Sequence, residues 1–373
     1  MEEKVRISPF QLSILTILFT TGTTILVTPS GMAADAKQDA WLSSLLSVII
    51  CLGIVYFFYQ CALSMGRKNY IQYLESIYGR ILGKILGLLY AFFAFIGTCT
   101  LISYFGFFTT TQILTETPIE ILNILFTILI ICVVRAGLEV LARTGELLST
   151  WFFILLFALI VFLLPQIEFQ RLSPLYEASI KDHAKAIFNF VSIAGFPLVL
   201  FLTFFPKNIN RPDKAKWNFL AGSFVGAFIV ALITVLCILV LGAETTARQL
   251  YPSYVLAKTV SLFEIVERIE SIMAGIWIIS IFFKSSIYFY ALVMTLTQVL
   301  ELKNYRFLVL PLGIICIIFS TVVYPDIQYM LTWDEKYWVP YSFIMGLIIP
   351  VITFVIDKIK NRINKTKKAF KAS

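Results

Sequence analysis

The chain of 373 residues is 59% hydrophobic and only 14% charged, with a formal net charge of +8. A soluble domain carries roughly 45–50% apolar and about 25% charged residues, so this composition excludes a soluble core with a polar shell and makes lipid the solvent. The basic balance does not call for nucleic acid, because the cations sit in short loops and in the C-terminal tail, as the positive-inside rule describes.

In lipid only helices and closed barrels satisfy the backbone. The apolar runs have the length of a bilayer-spanning helix, about 20 residues, and lack the alternation of barrel strands. The expected fold is therefore an all-α membrane protein with about ten transmembrane helices, at roughly 9–34, 41–64, 85–113, 119–134, 146–164, 186–205, 217–241, 270–299, 307–324 and 338–356.

Span 1 begins like a signal peptide, and Ala34-Asp35-Ala36 resembles a cleavage site. Its n-region is poorly basic, however, because Glu2 and Glu3 offset Lys4 and Arg6, and its apolar run is long. An uncleaved helix is expected. At its centre stands Thr20-Thr21-Gly22-Thr23-Thr24, followed by Pro29. Span 3 offers Thr98, Thr100, Ser103 and Tyr104. Tyr104 is either a lid that reaches a ligand with its hydroxyl or a packed aromatic bonded to a neighbouring helix. Residues 165–185 are mixed in charge and read as an excursion outside the bilayer; His183, the single histidine, lies there and is assigned no role.

Span 6 carries Ala194-Gly195-Phe196-Pro197 at its centre. Gly and Pro within a helix free backbone donors and acceptors, which membrane depth tolerates only beside a cavity. Two interrupted helices at matching positions of two halves mark a binding site between inverted repeats. Spans 1–5 (roughly 7–164) and 6–10 (roughly 186–357) are the expected halves of one transmembrane domain, 1–357. The competing reading is two ordinary kinks, with the threonines serving helix packing.

Residues 244–268 read as an amphipathic surface helix. Span 8 then places Lys284 deep in the bilayer, where a charge costs about 2.5–3.5 kcal/mol on insertion scales. Trp277, Ser280 and Tyr288 share its helix face. With no Asp or Glu expected at the centre of any span, three roles stay open for Lys284: a neutral amine, a fixed cation bonded to carbonyls and hydroxyls where related transporters hold sodium, or a contact for an anionic ligand. Residues 358–373 form a basic tail, which anchors the last helix at anionic lipid or docks a cytoplasmic partner.

Lys4 and Arg6, the loop cations Arg67, Lys68, Arg80 and Lys84, and the tail all fall on one side, which puts both termini in the cytoplasm. The six cysteines lie within or beside apolar runs and form no disulfide or metal pattern. Nothing reads as a nucleotide-binding loop, so neither an enzyme nor a cofactor or metal site is expected.

Several stretches resemble the spore germination permease family, the B subunits of nutrient germinant receptors within the amino acid–polyamine–organocation transporter superfamily. They are Glu267-Arg268-Ile269-Glu270, Trp277-Ile278-Ile279, Phe283-Lys284, Tyr288 with Tyr290, and Tyr305-Arg306 leading to Leu310-Pro311-Leu312. Ile7-Ser8-Pro9-Phe10-Gln11 and Phe204-Phe205-Pro206-Lys207-Asn208 add to the likeness. Such members often carry an acidic residue just after the span 6 break; Pro197 stands there instead, which removes a ligand-amine contact from that position.

The resemblance implies a 5+5 inverted-repeat fold with broken helices 1 and 6. It also implies a central cavity for a small nutrient germinant, typically an amino acid. Signalling would run with an A subunit and a lipoprotein C subunit in the spore inner membrane. The residues expected at the ligand are Thr20, Thr21, Gly22, Thr23, Thr24, Thr100, Ser103, Tyr104, Ala194, Gly195, Phe196, Trp277, Lys284 and Tyr288. An amino acid symporter, or a ligand-gated ion or water channel, would use the same cavity.

Overall fold

The computed structural model describes residues 6–66, 68–259 and 269–372, with Asp213 and residues 364–372 described by backbone alone. Glu2, Glu3, Lys4, Arg67, Glu267 and Arg268 lie outside the described residues. So do residues 260–268 of the expected surface helix and the side chains of Lys365, Lys367, Lys368 and Lys371.

Span 1 is two helices, Pro9–Thr21 and Thr24–Ala36. Its start is a capping box: Ser8 Oγ accepts from the Gln11 N–H, and Gln11 Oε1 accepts from the Ser8 N–H, with Pro9 in the first turn. Span 2 is Ala40–Met65 and span 3 is Arg80–Gln112. Between them lies a short helix missed in the sequence, Tyr70–Tyr78, opened by an Asn69/Gln72 capping box. Spans 4 and 5, Ile119–Ala136 and Leu138–Leu163, are separated by Gly137 alone. Its φ of 109° lies in the region glycine adopts freely, so span 5 starts well before residue 146.

Span 6 also comes in two pieces, Ile180–Ala194 and a tight helix Phe196–Thr203. Span 7 is Pro212–Leu241. The expected surface helix is instead two short ones, Ala243–Arg248 and Pro252–Lys258. Span 8 is Glu270–Val299 and span 9 Arg306–Val322.

Span 10 departs most from expectation. It begins at Ile327–Trp333, passes through π-helical stretches Asp334–Trp338 and Ile344–Ile348, and continues as Ile349–Ala372. The tail is thus a continuation of the last helix, and Lys360 Nζ donates to the Ile77 carbonyl near the end of the short helix. Among the described residues, eight helices are long and apolar enough to cross a membrane, and the shorter apolar helices Pro9–Thr21 and Arg306–Val322 complete the ten spans.

Burial sorts the spans into an inner and an outer set. The most apolar window of span 8 is 83% buried, against 28% for spans 5 and 10, so lipid meets the latter. The first half of span 1 packs along span 7, its second half along the first half of span 6, and span 8 along span 3. The two broken spans are also joined in the backbone outside their breaks: the Ile7 N–H donates to the Asn208 carbonyl at 2.9 Å, and the Asn210 N–H donates to the Ile7 carbonyl at 3.0 Å. Beyond span 8, Lys84 and Arg80 both pair with Glu301, at 2.7 and 2.8 Å; these bonds hold its carboxyl below the usual range.

Spans 1 and 7 approach closely because span 7 presents glycines. A Cβ at Gly222 would lie 2.6 Å from the Ser13 carbonyl oxygen, and one at Gly226 would lie 2.8 Å from Thr20 Cβ. Gly222→Val is expected to lower stability by about 1–3 kcal/mol, the usual cost of overpacking. Gly53→Val, where nothing lies within 4 Å, should leave it within about 0.5 kcal/mol. Thermal unfolding in detergent or nanodiscs reads both.

Candidate functional site: a cavity between the two broken helices

The break in span 6 follows from Pro197. In an α-helix the Ile193 carbonyl would accept from the N–H of residue 197, and proline has none. The chain turns at Gly195 and resumes as the tight helix. The orphaned Ile193 carbonyl takes its donor from span 8, the Lys284 ammonium, at 3.0 Å. Two neighbouring carbonyls are met in the same way: Trp338 Nε1 donates to Ser192 O at 3.2 Å, and Tyr90 Oη donates to Val199 O at 2.8 Å.

The break in span 1 faces the same lysine. Gly22 ends the first helix, its N–H bonded to the Leu18 carbonyl. Thr24 then opens the second helix and accepts from Lys284 Nζ at 3.2 Å through its hydroxyl. The lysine stem runs directly over Gly22, where a Cβ would sit 2.2 Å from Lys284 Cδ. The ammonium also stands 5.5 Å from the centroid of the Phe19 ring, within cation–π range. Lys284, 2% exposed, therefore ties the backbone of one broken span to the hydroxyl of the other. Its Nζ is held by one carbonyl and one hydroxyl.

Beside this link lies a cavity of about 30 Å³, lined by Thr23, Val27, Gly97, Thr100, Leu101, Tyr104, Ile193, Lys284, Tyr288, Tyr324, Asp334 and Trp338. That is room for roughly two waters. Tyr288 stacks on Phe19 at 5.5 Å, and its ring fills the place where a Cβ on Gly97 would stand. Both Asp334 oxygens accept tyrosine hydroxyls, one from Tyr104 and the other from Tyr324 at 2.9 Å.

Of the residues expected at the ligand, the structure brings Thr23, Thr100, Tyr104, Lys284 and Tyr288 to the cavity wall, with Gly22 and Thr24 directly behind through Lys284. The others do not reach it. Thr20 faces Gly226 of span 7, and the Thr21 hydroxyl donates back to the Ile17 carbonyl. Ser103 is buried off the wall. Ala194 and Gly195 shape the break without lining the space. Phe196 turns toward Phe188 and Phe343, and Trp277 packs on Phe108 at 4.4 Å.

The expectation that no carboxylate accompanies Lys284 needs correction. Asp334 lines the same cavity, because span 10 begins at Ile327 and carries it inward. The two side chains form no ion pair with each other. Among the described residues no group of His, Cys, Asp and Glu has the arrangement of a metal site.

The chain matches the family model described as "Spore germination protein" over residues 6–326. It is 32% identical over 328 residues to spore germination protein KB of Bacillus subtilis (strain 168), spanning 86% of each chain. It is 25% identical over 360 residues to spore germination protein A2 of the same organism, spanning 92% of this chain and 93% of the relative. Among solved structures it resembles Mhp1, a nucleobase-cation-symport-1 family transporter in a closed conformation with bromovinylhydantoin bound. The TM-score is 0.66 at 13% identity, over 91% of this chain and 78% of Mhp1. It also resembles MhsT in complex with L-phenylalanine, with a TM-score of 0.65 at 13% identity, over 94% of this chain and 88% of MhsT. The expected fold is thereby met: a transporter fold of ten spans with helices 1 and 6 broken.

Gly22→Val pushes the Lys284 stem aside and is expected to abolish any response that depends on the cavity. Gly195→Ala, whose Cβ would meet Cys51 Sγ and Val191 at 3.1 Å, should act more mildly. Lys284→Met keeps the stem but leaves the Ile193 carbonyl unpaired, lowering stability by about 1–3 kcal/mol. Thermal unfolding of the three purified variants checks the order.

Proposed function

The chain belongs to the spore germination protein family, and we propose on that premise that it is the permease-like subunit of a spore germinant receptor. It binds a small nutrient in the cavity between spans 1, 3, 6, 8 and 10, and passes the event to partner subunits. The observation that carries this reading is the Lys284 link: one buried lysine holds both broken helices beside a small cavity. A ligand that enters must widen a space of about 30 Å³. It thereby favours one arrangement of spans 1 and 6 over another. Differential affinity between two arrangements is the condition a ligand must meet to shift them.

Within this reading the protein is a multi-pass inner-membrane receptor with both termini in the cytoplasm, and it works with an A subunit and a lipoprotein C subunit. It acts by binding rather than catalysis. The inverted repeats, 7–164 and 186–357, supply the two moving halves, and the tail from 358 rests at the membrane surface. The likeness to Mhp1 and MhsT supports one competing reading, an amino acid symporter on the same scaffold. A ligand-gated channel is the other.

Spores lacking the protein should lose their germination response to one nutrient while vegetative uptake of that nutrient stays unchanged. Germination scored by optical-density loss across a nutrient panel, alongside radiolabelled uptake, reads both. Normal germination with lost uptake contradicts the receptor and points to the symporter. Ligand-gated current from the purified protein alone points to the channel.

A further inference from the structure

Spans 2 and 7 pack along each other, and where span 7 begins a lysine lies against two rings. Lys216 Nζ stands 5.1 Å from the ring centroid of Tyr56 on span 2 and 5.0 Å from that of Trp217, both within cation–π range. Neither ring is buried: Tyr56 is 44% exposed and Trp217 71%. Among the described residues no carboxylate pairs with Lys216. None of the three residues lines the cavity between the broken helices.

The surroundings have the shape and charge of a site for an anionic amphiphile. Residues 207–216 set Lys207, Arg211, Lys214 and Lys216 against one carboxylate, Asp213. From Tyr56 the exposed face of span 2 continues through Gly53, Ile50, Ile49 and Leu46 at helical spacing. At 1.5 Å per residue this apolar track is about 15 Å long, half the hydrocarbon core and so the reach of one leaflet's acyl chains. Gly53 notches the track, for a Cβ there would meet nothing within 4 Å. Trp217, Phe224 and Phe228 continue one exposed face of span 7, the last two stacked at 5.8 Å, and Lys216 joins the two faces. The rings stabilise its charge without offering a lone pair, so the ammonium keeps donors for a phosphate oxygen.

We propose that the groove between spans 2 and 7 holds one anionic phospholipid, its phosphate on Lys216 between Tyr56 and Trp217 and an acyl chain along span 2 past Gly53. A zwitterionic lipid fits the same track but brings its own cation to the lysine, so charge selects the occupant. A packed helix would want small or polar residues, and apart from Gly53 this face offers bulky apolar ones. In the two halves proposed above, span 2 belongs to one and span 7 to the other. Span 7 also carries the glycines that seat span 1. A lipid across this junction therefore bears on the packing that positions the first break, and the anionic lipid content of the membrane becomes an input separate from the cavity ligand.

The test is tryptophan quenching of the full-length chain in nanodiscs by lipids brominated on the acyl chain, phosphatidylglycerol against phosphatidylcholine at equal mole fraction. Subtracting Trp217→Phe, which keeps a ring beside the lysine, isolates Trp217 from the rest of the six tryptophans. Phosphatidylglycerol should associate about fivefold more strongly, the preference that one lysine near the membrane surface gives an anionic lipid. Lys216→Gln should bring the ratio close to one, Gly53→Phe, which fills the notch, should lower it, and Lys181→Gln should leave it unchanged. Equal association of the two lipids with the wild type overturns the proposal without any variant. A ratio unchanged in Lys216→Gln assigns the preference to general surface charge and overturns the site. Absence of quenching by either lipid means that a second copy or a partner helix covers the face, and overturns it too. Each of these outcomes leaves the receptor reading to the spore assay.

Discussion

A carbonyl that proline leaves without a partner, and the lysine that supplies one, organise the centre of this molecule. At membrane depth an unpaired carbonyl costs several kcal/mol, and so does an isolated ammonium. Lys284 on Ile193 O gives the carbonyl a donor and the amine an acceptor. The arrangement needs room for the lysine stem, which Gly22 gives by having no Cβ. It also needs a second acceptor, which Thr24 provides where span 1 resumes. Three spans are thereby committed to one another through four residues whose chemistry is interdependent.

That dependence couples the two breaks through one side chain. The two halves of span 1 are separate helices joined by Gly22 and Thr23, and the two halves of span 6 are joined by Gly195. Each half can move without unwinding a continuous helix. At one end the halves are held by the Ile7–Asn208 and Ile7–Asn210 backbone bonds, and in the middle by Lys284, by the Phe19–Phe201 ring contact at 5.3 Å and by the packing of Thr24–Ala36 on Ile180–Ala194. On the cavity wall Tyr104 of span 3 donates to Asp334 of span 10.

Much of this architecture was legible before any coordinates, because hydropathy and backbone chemistry are local. The ten apolar runs and the breaks at Gly22 and Gly195-Phe196-Pro197 are strong signals in lipid. So is the singular Lys284. The identity of its acceptor was within reach by the same logic, since Pro197 necessarily orphans the carbonyl four residues earlier. What was not legible depends on register and on partners distant in sequence. Asp334 stands in Trp333-Asp334-Glu335-Lys336, a polar run that reads as a loop before span 10. The helix starts at Ile327 instead, and a π-helical stretch resets its register. Tyrosines from spans 3 and 9 flank the carboxylate, the second just past Val322. Thr20 and Phe196 stand beside the breaks yet face away from the cavity, because proximity to a break says nothing about which way a side chain faces; Trp277, expected there from the helix face it shares with Lys284, packs on Phe108 instead.

The central claim is that Lys284 joins the two breaks energetically and not merely in space. A double-mutant cycle in the full-length purified protein, combining Lys284→Met with Thr24→Val and read by thermal unfolding, measures that joining directly. The account predicts an interaction energy of at least about 0.5 kcal/mol, as for residues sharing one network. Additivity to within about 0.3 kcal/mol, the behaviour of independent sites, would contradict it.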